Sequence, residues 1–97
     1  MIELGGNITL KGFEVLDPAD LLITKKLVGS YVRKVCDEAG NCDSAKLTLR
    51  QNDKFSIAVD VTVYGKTTTA SAAGKNVFMT IDHAWKATLE KLGITME

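Results

Sequence analysis

A chain that catalyses needs a nucleophile, a proton carrier or a metal, and this 97-residue sequence supplies few of them. Its one histidine, His83, stands beside Asp82 in a segment with helical spacing. Consecutive helical residues point in different directions, so the two make no catalytic pair, and no serine joins them as a nucleophile. Cys36 and Cys42, in CDEAGNCD, are too widely spaced for a Cys-x-x-Cys site, and there is no second pair to complete a zinc site. A disulfide across that gap is geometrically allowed, but a cytosolic chain favours free thiols. Asp37, Glu38 and Asp43 lack the regular spacing of a calcium loop. Gly65-Lys66 and Gly74-Lys75 are too isolated to cradle phosphates, and Asp60 and Asp82 read as surface groups. The expectation is a non-enzyme, with no cofactor and no metal.

Fixed charge remains. Twelve Lys and Arg balance twelve Asp and Glu, which excludes a protein that grips nucleic acid with its whole surface. The two segments that read as helices, 18–36 and 75–92, hold Lys25, Lys26, Arg33, Lys34, Lys75, Lys86 and Lys91 against Asp20, Asp82 and Glu90. Seven cations against three carboxylates leave +4 there and −4 on the rest of the chain. The pattern fits either solvated helix faces or a mildly basic layer aimed at phosphates.

The elements that must position these charges follow from periodicity. The length suits one domain over residues 1–97. No apolar run approaches the roughly 18–20 residues that span a bilayer, and the N-terminus lacks a basic, then apolar, leader. The expectation is a cytoplasmic protein with no membrane partner, in which the sequon Asn7-Ile8-Thr9 goes unused. Residues 2–10 alternate, with Ile2, Leu4, Gly6, Ile8 and Leu10 on one face, and read as one half-buried strand with a bulge or kink at Gly5-Gly6. Asp17 as N-cap, Pro18 at the first helical position, Asp20 where a capping side chain reaches back, and Gly40 as a stop delimit a first helix. Its inward stripe is Leu21, Thr24, Val28, Tyr31 and Val35, flanked by Leu27 and Val32; Gly29 falls in the middle of the helix, where it costs about 1 kcal/mol relative to Ala and close packing would account for it.

Three strands follow. In the first, Ala45, Leu47 and Leu49 face in, and Asn52-Asp53-Lys54 turns the chain. In the second, Phe55, Ile57, Val59, Val61 and Val63 face in, with Ser56, Ala58, Asp60 and Thr62 outside. A hairpin at Gly65-Lys66 leads into a Thr-rich strand. The last helix carries Val77, Phe78, Ile81, Trp85, Thr88, Leu89 and Leu92, ending at Gly93. One-sided strands and helices require an α+β, two-layer β-α-β-β-β-α domain. It has a four-stranded, mostly antiparallel sheet with both helices on one face and the other face wet.

An RNA-recognition motif would stack bases on sheet aromatics, but the open face here shows none before Tyr64. A double-stranded-RNA-binding domain shares the β-β-β-α end, yet this chain offers only Lys75 at the start of the last helix and has a leading strand such domains lack. ASAAGKNVFMTID, residues 70–82, instead resembles without a gap a segment of the ribosome hibernation promoting factor family, also called the sigma-54 modulation or ribosome-associated inhibitor family. There an Ala-Ser pair closes the fourth strand, and a short polar stretch leads to an apolar–aromatic pair, here Val77-Phe78, with Ile81-Asp82 following. GNITLKGFEV, residues 6–15, is similar to the family's opening strand and turn.

The resemblance implies the β-α-β-β-β-α fold and a partner, the small ribosomal subunit, bound through basic residues of both helices on rRNA phosphates, with translation down-regulated in stressed or resting cells. The candidate rRNA-binding residues are Lys25, Lys26, Arg33, Lys34, Lys75, Lys86 and Lys91. Ala87 and Glu90 stand where family members commonly carry a Lys and an Arg. The alternative is a module of the same fold that has lost ribosome binding and pairs with proteins, for instance as a homodimer through the last edge strand.

Overall fold

The computed structural model describes residues 2–4, 7–40, 42–51 and 53–93. Five strands form one sheet in the order β1-β2-β3-β4-β5: Ile2–Leu4, Ile8–Lys11, Ser44–Gln51, Phe55–Val63 and Lys66–Gly74. A 3-10 turn, Phe13–Val15, precedes helix α1, Pro18–Ala39, and helix α2 runs Val77–Leu92. β2 and β3 are parallel, joined through α1, and every other pair is antiparallel. The sheet therefore has five strands, not four, and the extra one comes from residues 2–10. That stretch is a hairpin in which Leu4 pairs with Ile8 and Ile2 with Leu10. Paired residues of antiparallel strands share a face, so the alternation continues unbroken through the reversal. Gly5 and Gly6, read as a bulge, lie outside the described residues, as does Asn52 of the expected turn.

Leu10, Ala45, Leu47, Leu49, Ile57, Val59 and Val61 all line one face of the sheet and are buried with Val28, Val35, Ile81, Ala84, Trp85 and Leu89 of the helices. Both helices thus cover that face in a single core. Three threonines are buried on the helices, and each satisfies its hydroxyl on the carbonyl four residues back: Thr24 on Asp20, Thr80 on Asn76 and Thr88 on Ala84. The Trp85 ring stacks on Tyr31, centroids 5.5 Å apart, and ties α2 to α1. Its indole N–H has no hydrogen-bond partner among the described residues.

The punctuation acts as its chemistry dictates. The Asp17 carboxylate accepts from the Asp20 amide at 2.9 Å, and Gly40 closes α1 with its amide on the Cys36 carbonyl. Asp20 itself contributes that amide rather than a second capping side chain. The β4–β5 turn sits one residue earlier than expected: Tyr64 and Gly65, at φ 49° and 77°, form the type I′ geometry that matches strand twist, and Val63 faces Lys66. Gly12, at φ 83°, lies so close to β3 that a Cβ would stand 2.3 Å from the Leu49 carbonyl oxygen.

Candidate nucleic-acid interface

α1 ends at Ala39 against the Gly40 stop, three residues beyond the 18–36 segment over which the charges were counted, and so takes in Asp37 and Glu38. α2 begins at Val77, leaving Lys75 outside it. The two helices then carry six cations against five carboxylates, a net of +1 in place of the +4 expected from the sequence segments. The positive character is confined to part of α1 rather than spread across the layer.

Within that part, Lys26, Gly29, Ser30 and Arg33 occupy one outward face at helical spacing and line a shallow depression. Lys26 and Arg33 are exposed, Lys25 is half-buried beside them, and none of the three has a partner among the described residues. Lys75, exposed just before α2, is likewise uncommitted. The other three candidates are engaged. Lys34 pairs with Glu38 at 3.1 Å along α1, and Lys86 with Asp82 at 2.9 Å along α2. Lys91 lies on the opposite flank of α2 and donates to the Thr69 carbonyl of the edge strand β5 at 2.6 Å. Ala87 is half-buried and Glu90 exposed. The seven residues therefore do not converge on one patch. Lys25, Lys26 and Arg33 form a group, and the remainder are dispersed or neutralised.

What holds the helices in this arrangement was illegible in the sequence. The Tyr31 hydroxyl donates to Asp82, 51 residues away, and Asp82 also accepts from Lys86. No local pattern signals such a pair. Asn76 carried a readable signal, a capping residue before an apolar run; its side chain accepts from the Phe78 and Met79 amides at 2.9 and 3.0 Å. Phe78, part of the apolar pattern of the last helix, is only half-buried and lines an open apolar groove with Ile23, Leu27 and Met79 between the starts of the helices.

His83 is exposed on α2, and the described residues hold no group of three His, Cys, Asp or Glu side chains placed to bind a metal. Cys36 and Cys42 are free thiols. Burial and a hydrogen bond to the Cys36 thiol, reinforced by the charges of Cys36 and Asp43, push the Cys42 thiol up to about 11. No helix is long and apolar enough to cross a membrane.

Two solved structures superpose on this arrangement. A ribosomal subunit interface protein from Coxiella burnetii matches with a TM-score of 0.68 at 18% identity, over 90% of this chain and 91% of its own. The Thermus thermophilus Protein Y N-terminal domain matches with the same TM-score at 14% identity, over 88% of this chain and 90% of its own. The chain has their fold. No family profile matches the sequence, and no curated protein is recognisably similar to it. At such identities the likeness fixes the architecture and leaves the side chains to be argued individually.

Proposed function

We propose that this is a cytoplasmic, ribosome-associated factor of the hibernation type that binds rRNA of the small subunit electrostatically and down-regulates translation. The observation that carries the reading is the outward face of α1. Lys26 and Arg33 flank the small residues Gly29 and Ser30 with no carboxylate neutralising them, on a fold shared with a ribosomal subunit interface protein. A phosphate backbone can approach closely between two such cations, and the guanidinium can take a phosphate with two hydrogen bonds. Lys25 and Lys75 supply further charge, whereas Lys34, Lys86 and Lys91 contribute less because each is already occupied.

Co-sedimentation with 30S and 70S particles tests this. With about four phosphate contacts, the logarithm of affinity falls with the logarithm of salt at a slope of about −3 to −4. The Lys26→Glu, Arg33→Glu double variant, checked for native circular dichroism, should leave the particles entirely. Unchanged sedimentation of that variant refutes the reading.

One observation favours a homodimer through the last edge strand instead. β5 presents nine residues at the sheet edge with no charge between Lys66 and Lys75, a length that invites strand pairing. Lys91 on the Thr69 carbonyl opposes it by occupying an edge acceptor. A sedimentation-velocity run showing a tight dimer, with no shift on adding rRNA, would decide for this second reading.

A further inference from the structure

The sheet's open face, turned away from the helices, divides into two halves of different character. In one half the polar side chains satisfy each other. Thr69 donates to Asp60 at 2.8 Å, and the Thr62 and Thr67 hydroxyls are 2.9 Å apart. In the other half they do not. Thr48, Arg50, Ser56, Ala58 and Ser71 line a hollow of about 340 Å³, and neither the guanidinium nor any of the three hydroxyls has a partner among the described residues. The pairings fix the layout: Arg50 lies opposite Ser56, and Ala58 lies between Thr48 on one side and Ser71 on the other. Lys11, opposite Thr48, adds a second cation at the rim. No carboxylate lines the hollow.

We propose that this hollow binds one phosphate–sugar unit of a nucleotide or nucleic-acid strand. A forked cation beside hydroxyl donors, with no competing acid, selects an oxyanion, and a phosphate has acceptor oxygens enough for the fork and the hydroxyls together, where a carboxylate has only two. Size then narrows the class. Adjacent strands lie about 4.8 Å apart, so Thr48 and Ser71, two strands apart, are separated by roughly 10 Å, too far to share one phosphate. The phosphate sits on Arg50, Ser56 and Thr48, and a sugar hydroxyl reaches Ser71. Ala58, lacking bulk, lets the linkage lie close to the sheet. No aromatic lines the hollow to stack a base, so the base is not read and the site is indifferent to sequence. The hollow lies on the opposite layer from Lys26 and Arg33, so it does not depend on the helix-face reading.

The test is an amide-resolved NMR titration of the intact protein with inorganic phosphate, adenosine and adenosine monophosphate. The monophosphate should shift the Arg50, Ser56 and Ser71 amides and bind about tenfold more tightly than either fragment, a difference of about 1.4 kcal/mol. Arg50→Gln should reduce the monophosphate to the affinity of adenosine, and Ser71→Ala should reduce it to that of phosphate. Both side chains are exposed, so both variants fold. Lys26→Glu with Arg33→Glu should leave these shifts unchanged. A trinucleotide that binds more tightly than the monophosphate assigns the site to a strand, and equal affinity assigns it to free nucleotide. Absence of shifts at these residues, shifts confined to the helices, or monophosphate binding unaltered by Arg50→Gln would overturn the proposal.

Discussion

The Tyr31 hydroxyl donates to the Asp82 carboxylate and thereby joins the middle of α1 to the first half of α2. The other carboxylate oxygen accepts from Lys86 at 2.9 Å, so Asp82 is held from both helices. This contact crosses the seam where α1 and α2 meet, beside the stacked Tyr31 and Trp85 rings.

Removing that hydroxyl tests its contribution. Tyr31→Phe keeps the ring stacked on Trp85 and leaves Asp82 with Lys86 alone. A hydrogen bond to a charged group contributes about 1.5–3 kcal/mol. In a domain of this size, each 1 kcal/mol shifts the melting temperature by about 4–8 °C. Thermal unfolding should show a fall of that order, and an unchanged Tm would mean that the bond carries no weight.

Two glycines should respond in opposite directions to the same change. At Gly29 an added Cβ meets nothing within 4 Å, so the close packing suggested by a mid-helix glycine is absent. Gly29→Ala should stabilise by about 1 kcal/mol through helix propensity and chain entropy. Gly12→Ala places a methyl 2.3 Å from the Leu49 carbonyl oxygen at a positive φ, so the β2 exit or β3 must shift. Urea unfolding of the two variants should move the midpoints apart, up for Gly29→Ala and down for Gly12→Ala.

The Asn76 cap satisfies two amides at the start of α2. Asn76→Ala should cost about 1 kcal/mol, and Asn76→Asp should restore most of it. Amide hydrogen exchange at Phe78 and Met79 should accelerate in the alanine variant only.

Cys42 should be sluggish towards alkylation. With its pKa raised from 9.0 to about 11, its thiolate fraction at neutral pH falls about a hundredfold, and so does its rate with iodoacetamide relative to an unshifted thiol. Because the folded pKa lies above the unfolded one, this group supports folding below pH 9, and that support is lost as pH rises through 11. Mass spectrometry of labelled protein, read residue by residue across pH, checks both statements.

Much of the architecture was legible because it rests on short-range rules. The caps at Asp17 and Gly40, the stripe through Thr24, Val28, Tyr31 and Val35, and the alternation of β3 and β4 each depend on neighbours within a turn or a pair. The hairpin between β4 and β5 was legible from its glycine but its position was not: a Gly65–Lys66 turn and the observed Tyr64–Gly65 turn both switch the inward parity, from odd numbers in β4 to Thr68, Ala70 and Ala72 in β5, so the pattern does not choose between them. The β1–β2 reversal was hidden because a three-residue connection preserves parity, so one strand and a hairpin give the same pattern. The candidate interface was less legible for a different reason. A lysine's charge is visible in the sequence, but its occupation by Glu38, Asp82 or the Thr69 carbonyl depends on rotamers and tertiary proximity.

Trp85 is the chain's lone tryptophan, wholly enclosed and stacked face to face with Tyr31. Its emission is therefore a built-in gauge of the gap between the helices, with the colour of the fluorescence reporting whether solvent has reached the indole. A binding partner that wedges the helices apart would announce itself as a red shift without any label, whereas one that rests on either outer surface would leave the spectrum still.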